Sequence, residues 1–327
     1  MNKVTARDVA DACATSIAAV SRAFRADAPI SSDLRDRILR EAARLGYVPP
    51  RRRGRRVSRV ISFALIVGDI ENPFYPQVLR AFSREAADLG WEALVYVAPE
   101  VGSVDSLMAH VLRADVDAVV IASAELSSTL AAQCHDRALP VILFNRVQAR
   151  TGLNAVCSDN YAGGQMAAQH LIGTGRSRIA FIGGRRSTST HLERRRGLID
   201  ALAKRQMRLS EDLVCDYAYD VAATVGHTLF ARATRPDGIF CANDNMAFAL
   251  LDAAFEAGLR PGQDVSIIGY DDVPMAGWSR YRLTTLSQNV PDMVARTVDR
   301  IAELVTTPQT DARIEIVPPQ LIVRHSG

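Results

Sequence analysis

The basic residues that could bind a polyanion are concentrated at the N-terminal end of this 327-residue chain. Residues 1–60 contain 14 Lys and Arg against 6 Asp and Glu, a net charge of +8, whereas residues 61–327 contain 25 basic and 30 acidic residues. The basic region includes the run RRRGRR at 51–56. Such a region on a mildly acidic body predicts that only the N-terminal part contacts a polyanion such as nucleic acid. The alternative is a solvated basic tail without a partner.

No residue pattern in the chain predicts catalysis or metal binding. The five cysteines form no CxxC pair and the six histidines have no ligand spacing, so we expect reduced thiols and no metal. The sequence FIGG follows an apolar run as a phosphate loop would, but GxGxxG, GxxxxGKS/T, GxSxG and HExxH are absent. We therefore expect a protein that is not an enzyme and that has no cofactor.

The sequence also carries a prediction about the compartment. The N-terminus MNKVTARDVADACA lacks the apolar segment of a secretory signal, and no apolar run approaches the ~18 residues that span a bilayer. We expect a cytoplasmic protein that does not bind a membrane.

The first 48 residues have the pattern of three short helices. Thr5 can cap a first helix with Asp8 three positions later, Ser16 can cap a second, and Ser32 can cap a third that ends before the sequence YVPP. Because so few residues separate the first two helices, the pattern predicts an all-α helix-turn-helix headpiece over residues 1–48.

The hydrophobic pattern changes at Val60. Short apolar runs such as VISFALIV, PVILF, RIAFIGG and VSIIGYDD alternate with amphipathic stretches such as FYPQVLRAFSREAADLG. This alternation is typical of buried parallel strands joined by crossover helices, and the runs are too many for one sheet of ordinary size. We predict an α/β core of two doubly wound subdomains, with a ligand cleft at the carboxyl ends of the strands.

Several of these segments resemble the lactose/galactose-repressor (LacI/GalR) family of bacterial transcription regulators. The resemblance rests on the segments VTARDVADACATSIAAVSRAF, DIENPFYPQVL, SDNYAGGQMAAQHLIGTGRSRIAFIGG, PDGIFCANDNMAFALLDAAFEAGLRPGQDVSIIGYDD and LTTL. It covers almost the whole chain in order. It implies a headpiece at 1–48, a hinge at 49–59 and a periplasmic-binding-protein-like core at 60–327. In that core, residues 60–160 and 289–323 would form the N-terminal lobe and residues 161–288 the C-terminal lobe.

The resemblance identifies the second helix as the one that enters the major groove of DNA. Base edges would be contacted by Ile17, Ala18 and Arg22, and backbone phosphates by Thr5, Ser16 and Ser21. Arg25, which stands where the family commonly has asparagine, is also expected to bind DNA. The alternative is that Ile17 belongs to the headpiece core and that Arg22 is solvated. The family usually has glycine where this chain has Ala14, and a positive φ there would cost alanine on the order of 1 kcal/mol.

The hinge departs from the family pattern, which ends in a leucine that wedges into the minor groove. This chain instead carries arginines at 52, 53, 55 and 56, with Val57 as the only apolar candidate for a wedge. We therefore expect Arg52, Arg53, Arg55 and Arg56 to bind DNA through phosphates or the narrow minor groove. We expect no hinge helix away from DNA because the like charges repel one another.

The resemblance also implies which residues form the ligand cleft. They are Phe74 and Tyr75 as an aromatic wall, Asn145, Arg194, Asn243 and Asp271 as polar contacts, and Trp278 as a stacking residue. Amide, carboxylate and guanidinium groups beneath aromatic faces can satisfy the hydroxyls of a buried ligand. For Asp271 with its neighbour Asp272, a helix cap or a salt bridge is the alternative.

These observations together predict a ligand-responsive DNA-binding regulator, acting as a repressor. It would be a homodimer on palindromic operator DNA, since two headpieces about one helical turn apart read such a site. The effector would be a small polar molecule, sugar-like or nucleobase-like. The alternative is the solute-binding protein of a transport system, which the basic headpiece and the lack of a signal peptide disfavour.

Overall fold

A computed structural model describes residues 4–24, 30–45, 47, 60–98, 104–122, 128–148, 152–307 and 311–327. The chain divides into two compact units, Met1–Arg59 and Val60–Gly327, called unit 1 and the core unit below. The predicted hinge at 49–59 lies outside the described residues, and so do the predicted DNA contacts Arg25, Arg52, Arg53, Arg55 and Arg56 and the side chain of Ala18.

Unit 1 contains three helices within its described residues, α1 (Ala6–Ala12), α2 (Ile17–Ala23) and α3 (Ser32–Leu45). Thr5 caps α1 in a capping box, because its side chain accepts from the Asp8 backbone while its own N–H donates to the Asp8 carboxylate at 2.7 Å. The Ser16 hydroxyl caps α2 by accepting from the Ala19 backbone at 3.1 Å. Thr5 and Ser16 thus form the expected caps, whereas α3 begins at Ser32 itself, so the prediction that Ser32 caps this helix is wrong.

The core of unit 1 is small and tightly packed. Val9, Val20 and Ile38 contribute one fully buried side chain from each helix. The Tyr47 ring packs edge-on against Phe24 with centroids 5.9 Å apart. Burial of these few side chains holds the three helices together, because helices this short have little stability alone.

The connection between α1 and α2 contains a residue in the left-handed region. Ala14 has φ of 46° and is exposed, and its N–H donates to the Asp11 carbonyl. An L-residue with a Cβ is strained there, which agrees with the cost expected for alanine at a positive φ. The tight connection therefore costs unit 1 stability at this position.

In the core unit, two parallel sheets are each flanked by helices. The strands, in chain order, are β1 (Ser62–Val67), β2 (Glu92–Val97), β3 (Ala118–Ile121), β4 (Val141–Phe144), β5 (Asn154–Ser158), β6 (Ile179–Gly183), β7 (Glu211–Val214), β8 (Gly238–Cys241), β9 (Ser266–Asp271), β10 (Thr284–Ser287), β11 (Ile314–Val317) and β12 (Gln320–Ile322). The helices are α4 (Phe74–Leu89), α5 (Val104–Val111), α6 (Ser128–Asp136), α7 (Asn160–Gly173), α8 (Ser189–Ala203), α9 (Tyr219–Phe230), α10 (Asp244–Glu256) and α11 (Val290–Thr306), with a 3₁₀ turn at Pro274–Gly277.

Each sheet forms the centre of one lobe. The first sheet has the order β11-β5-β4-β3-β1-β2 and is parallel throughout. The second has the order β12-β10-β9-β8-β6-β7 and is parallel except for β12. Strands β1, β4, β6, β8 and β9 are buried along their whole length, which explains their continuous apolar runs. The core therefore has the predicted α/β class with two doubly wound subdomains.

The sequence-based lobe boundary is wrong at its C-terminal end. Residues 289–323 were expected in the first lobe, but only α11 and β11 lie there, and β12 pairs antiparallel with β10 in the second. The buried Ser326 hydroxyl fixes this end of the chain by donating to the Ile267 carbonyl at 2.7 Å and accepting from the Thr284 backbone. The chain returns to the second lobe at β12 because this strand covers an otherwise unpaired edge of β10.

None of the helices in the described part of the chain is long and apolar enough to cross a membrane.

The strain at Ala14 leads to a stability prediction. In Ala14→Gly, the left-handed conformation loses its steric cost, so unit 1 should gain roughly 0.5–1 kcal/mol after the higher entropy of unfolded glycine is subtracted. The matched control is Ala43→Gly, an exposed position inside α3, which should lose about 1 kcal/mol. Hydrogen exchange of unit 1 amides in the full-length chain measures both. Equal losses of protection in the two variants would contradict the strain.

Candidate functional site

A cavity of about 150 Å³ lies between the two lobes of the core unit. It opens at the carboxyl ends of the strands, where doubly wound sheets bind ligands. The first lobe contributes Gly68, Asp69, Asn72, Phe74, Tyr75, Asn145 and Arg146, and the second contributes Arg185, Thr190, Arg194, Asp216, Tyr217, Ala218, Asn243 and Asp271. Both lobes therefore present polar side chains to the same space.

Arg194 is a buried cation at the floor of this cavity, with only 2% of its surface exposed. Its Nε donates to Asn160 Oδ1 at 2.7 Å and its Nη1 donates to the Ala242 carbonyl. The guanidinium carbon lies 3.5 Å from the centroid of the Tyr270 ring, which adds a cation–π interaction. Its Nη2 has no hydrogen-bond partner among the described residues, so this donor is available to a ligand.

The packing of α7 against α8 determines where Arg194 lies. A Cβ on Gly164 would come 2.1 Å from the Arg194 carbonyl, and one on Gly197 would come 2.0 Å from the Tyr161 carbonyl. The two helix backbones can approach this closely only because both positions are glycine. The approach brings Asn160, the first residue of α7, within hydrogen-bond distance of Arg194.

Asp271 ends strand β9 and turns its carboxylate into the cavity. The side chain is buried, and its Oδ1 accepts from Gln288 Nε2 at 2.6 Å. Its neighbour Asp272 instead pairs with Arg324 at 2.7 Å. The salt bridge considered for this acidic pair is thus formed by Asp272 alone, which leaves Asp271 for the cavity.

Burial favours the protonated form of two neighbouring carboxyls. Burial raises the pKa of Asp271 well above its usual range, and the Arg194 charge only partly opposes this effect. Burial likewise raises the pKa of Asp244, which accepts from the Thr285 hydroxyl at 2.5 Å and from the Val273 backbone at 2.9 Å. The Asp244 charge also raises the pKa of Asp271, and the Asp272 charge raises the pKa of Asp244, because like charges in a low-dielectric interior repel.

Two asparagines add unpaired polar atoms to the cavity. Asn243 caps α10 by accepting from the Met246 backbone at 3.0 Å, but its Nδ2 has no partner among the described residues. Asn145 follows β4 with φ of 69°, and its buried Oδ1 is also without a partner there. Buried polar groups are rarely left unsatisfied, so a donor and an acceptor on opposite lobes point to a polar ligand.

Aromatic rings form the apolar part of the cavity. Phe74 and Tyr75 begin α4 and are buried with their ring centroids 5.5 Å apart. On the second lobe, the Tyr217 and Thr190 hydroxyl groups form a hydrogen bond of 2.8 Å. The Tyr217 ring lies against Gly184, where an added Cβ would come within 2.0 Å of it. The combination of flat apolar faces and convergent polar groups is typical of small-molecule sites.

The structure brings six of the seven predicted ligand residues to this cavity, namely Phe74, Tyr75, Asn145, Arg194, Asn243 and Asp271. Trp278 does not line it and is 55% exposed, because the 3₁₀ turn before it directs the chain away. The prediction missed Asp69, Asn72, Arg146, Arg185, Thr190, Asp216 and Tyr217. Most of these directly follow the ends of β1, β4, β6 and β7, so the position of the strand ends was the available signal. Ligand contact by any of these residues stays a prediction.

Two of the predicted DNA-contacting side chains in unit 1, Ile17 and Arg22, are exposed on α2. Ile17, the first residue of α2, is 46% exposed and does not belong to the core. Arg22 is exposed on the same helix, whereas Ser21 is half-buried. The hydroxyls of Thr5 and Ser16 accept the capping bonds of α1 and α2.

Comparison with known proteins supports the same architecture. A family model for a periplasmic binding protein-like domain matches residues 168–327. The HTH-type transcriptional regulator DegA of Bacillus subtilis is 29% identical over 99% of this chain and 98% of its own length. The HTH-type transcriptional repressor PurR of Pectobacterium carotovorum is 26% identical over 98% of this chain and 96% of its own length.

Solved structures share the fold over the full chain. A transcriptional regulator CelR–cellobiose complex has a TM-score of 0.74 and 25% identity, covering 99% of this chain and all of that one. The Lac repressor bound to ONPG has a TM-score of 0.73 at 22% identity, covering both chains completely. The fold, the interlobe cavity and these relatives define a transcription regulator, not the binding protein of a transport system. These similarities support the LacI/GalR family predicted from the sequence.

The buried carboxyl of Asp271 leads to a pH-dependent prediction. In the unfolded chain it ionises near pH 3.8, but in the folded chain it retains its proton to higher pH, so stability falls as pH rises above about 4. In Asp271→Asn, the amide oxygen still accepts from Gln288 and no proton is lost. We expect the melting temperature of the variant to exceed that of the wild type by at least roughly 2 °C at pH 8 and to differ little at pH 4. A stability change of about 1 kcal/mol corresponds to about 2–4 °C in domains of 150–250 residues.

Thermal unfolding of the full chain between pH 4 and 9 measures this difference. Asp272→Asn is the matched control, because it removes the ion pair with Arg324 and should not raise the melting temperature. A lower melting temperature for Asp271→Asn at pH 8 would show that the carboxylate is stabilised in its ionised form.

Proposed function

We propose that this protein is a repressor that binds a palindromic operator as a homodimer through unit 1 and whose operator affinity is set by a small polar effector in the interlobe cavity. The observation that carries the proposal is a set of unpaired buried polar atoms on both lobes of one cavity. Asn145 Oδ1 belongs to the first lobe, and Arg194 Nη2 and Asn243 Nδ2 belong to the second. A ligand that satisfies all of them favours one arrangement of the lobes over another. Effector and operator binding are then reciprocally linked.

The DNA-binding role is supported by the geometry of α1 and α2. Two short helices separated by residues 13–16 form a helix-turn-helix, in which the second helix reads the major groove. The exposed Ile17 would contact thymine methyl groups and Arg22 would pair with a guanine, while the side chains of Thr5, Ser16 and Ser21 bind phosphates.

Further DNA contacts are proposed from the sequence alone. Arg25 and the hinge arginines at 52, 53, 55 and 56 would neutralise phosphates, which increases the salt dependence of binding. Two copies are required because a palindromic site repeats the same half-site about one helical turn apart. The protein would act in the cytoplasm, where it meets chromosomal DNA.

The effector is proposed from the chemistry of the cavity and the relatives. Amide, guanidinium and carboxyl groups beneath Phe74 and Tyr75 suit the hydroxyls of a sugar or the ring nitrogens of a nucleobase. CelR is described in complex with cellobiose, and a related regulator from Enterococcus faecium is described with bound ribose. No catalytic step, cofactor or metal is part of this proposal.

The DNA-binding proposal is tested by selecting duplexes from a random library with the full-length protein. We expect an inverted repeat, and in Arg22→Ala we expect discrimination at one base pair of each half-site to fall by roughly 5- to 150-fold, equivalent to about 1–3 kcal/mol. Arg40→Ala changes an exposed arginine of α3 and should keep the selected sequence. Selection of no preferred sequence by the wild type would contradict the proposal.

The effector proposal is tested with Asn243→Ser, which keeps an oxygen that can cap α10 but removes the unpaired Nδ2 donor. Compounds that stabilise the wild type in a thermal-shift screen of sugars, their acids and phosphates, and nucleobases should bind roughly 5- to 150-fold more weakly to this variant. Trp278→Ala lies outside the cavity and should respond as wild type. The assignment of the cavity is wrong if Trp278→Ala loses the response and Asn243→Ser keeps it.

A further inference from the structure

The charges around the cavity are unevenly distributed. Its lining includes Arg146, Arg185 and Arg194, of which the first two are half-buried and the third is fully buried. Of the aspartates in the lining, Asp69 and Asp216 are exposed, where water screens their charge. The interior of the cavity is therefore more positive than its mouth.

Arg185 differs from several arginines of the core unit that form ion pairs. Examples are Arg195 with Asp212 at 2.5 Å, Arg280 with Asp252 at 2.7 Å and Arg324 with Asp272 at 2.7 Å. Within the described part of the chain, Arg185 has neither an ion pair nor a side-chain hydrogen bond, although it is half-buried in the cavity lining. A partly desolvated cation without a counter-charge leaves room for an anion from the ligand.

The same side of the cavity contains the N-terminus of α8. This helix has fifteen residues and is capped by Thr188, and its second residue, Thr190, is 98% buried and lines the cavity. Oriented peptide dipoles at such a helix start attract negative charge. Arg194, one helical turn further along α8, adds its unpaired Nη2, a donor on a side chain that is itself 98% buried. The cavity lining thus combines the start of α8, the unpaired Nη2 of Arg194 and the guanidinium of Arg185, which has no ion pair within the described residues.

The buried acid of the cavity does not cancel this positive charge. Burial raises the pKa of Asp271, so that its carboxyl is largely neutral and can donate or accept a hydrogen bond. The unpaired polar atoms that belong to other elements than α8, Asn145 Oδ1 and Asn243 Nδ2, are neutral and suit hydroxyl groups.

From this arrangement we infer that the effector is an anionic polyol, a sugar derivative whose carboxylate or phosphate binds Arg185, Arg194 and the start of α8 while its hydroxyls bind Asn145 and Asn243. The inference rests on the proposed effector function and narrows its ligand class. Carboxylate and phosphate share the chemistry that this side of the cavity recognises, since both accept bidentate bonds from arginine.

The test uses matched sets of compounds with the full-length protein at constant ionic strength. Each set contains a neutral sugar, its uronic or aldonic acid and its phosphate, for example glucose, glucuronate, gluconate and glucose 6-phosphate, or ribose and ribose 5-phosphate. Sodium acetate and sodium phosphate detect stabilisation by a simple anion, and nucleobases complete the panel. Affinity is measured by calorimetry for compounds that shift the melting temperature, and each is tested for a change in operator affinity.

We expect an acid or a phosphate to bind roughly 10- to 150-fold more tightly than its neutral parent, since hydrogen bonds to charged groups are worth about 1.5–3 kcal/mol. In Arg185→Gln the preference for the anion should fall by the same factor, while affinity for the neutral parent is kept. Arg186→Gln is the matched control, because this neighbouring arginine is exposed and does not line the cavity. Comparison of the affinities of the sugar acid and the sugar phosphate then shows whether the effector's anionic group is a carboxylate or a phosphate.

Two kinds of result would overturn the inference. If a neutral sugar or a nucleobase binds as tightly as the anions and changes operator affinity, the ligand class is wrong while the proposed function stands. Unchanged anion affinity in Arg185→Gln, or stabilisation by acetate and phosphate alone, would also exclude an anionic polyol at this position. If no compound in the panel binds or changes operator affinity, the proposed effector site fails together with the inference.

Discussion

The buried guanidinium of Arg194 holds together four parts of the core unit, and the cavity depends on this interaction. Asn160 at the start of α7, the Ala242 carbonyl after β8 and the Tyr270 ring on β9 all contact the side chain, which itself belongs to α8. Removing a charge from water is costly, so it persists here only because hydrogen bonds and an aromatic face replace most of its solvation. The site is therefore organised before any ligand arrives.

The Tyr270 side chain that contacts Arg194 also forms a hydrogen bond to the other lobe. The Tyr270 hydroxyl is 3.0 Å from the Ser158 hydroxyl, which belongs to the last residue of β5 in the first sheet. On the other side of the cavity, Gln288 holds Asp271 from the segment where the chain leaves β10 for α11. Both contacts lie where the polypeptide passes between lobes. A ligand that contacts Arg194 or Asp271 would therefore lie one side chain away from the connections between the lobes.

The sequence predicted the features that depend on local chemistry and missed those that depend on distant partners. The helix caps at Thr5 and Ser16, the strained turn at Ala14 and the buried strands follow from short-range patterns of polarity and shape. Strand β12 was not predicted, because its three residues, one exposed and two half-buried, form no hydrophobic pattern, and the strand depends on pairing with β10. Among site residues, Arg194 and Asp271 were found through family resemblance, whereas Arg185 was missed because a loop arginine has no distinctive spacing.

The return of β12 to the second sheet has a mechanical consequence. In the part of the chain that the structure describes, the polypeptide passes between lobes after β5, after β10 and again between β11 and β12. Two bodies joined by a single tether can twist, slide and separate in any direction, but side-by-side tethers remove most of those freedoms. The lobes are then left with bending about one shared axis as their easiest motion. With such a joint, ligands of different shapes would produce the same type of lobe movement. Their effects would differ only in the angle through which the lobes bend.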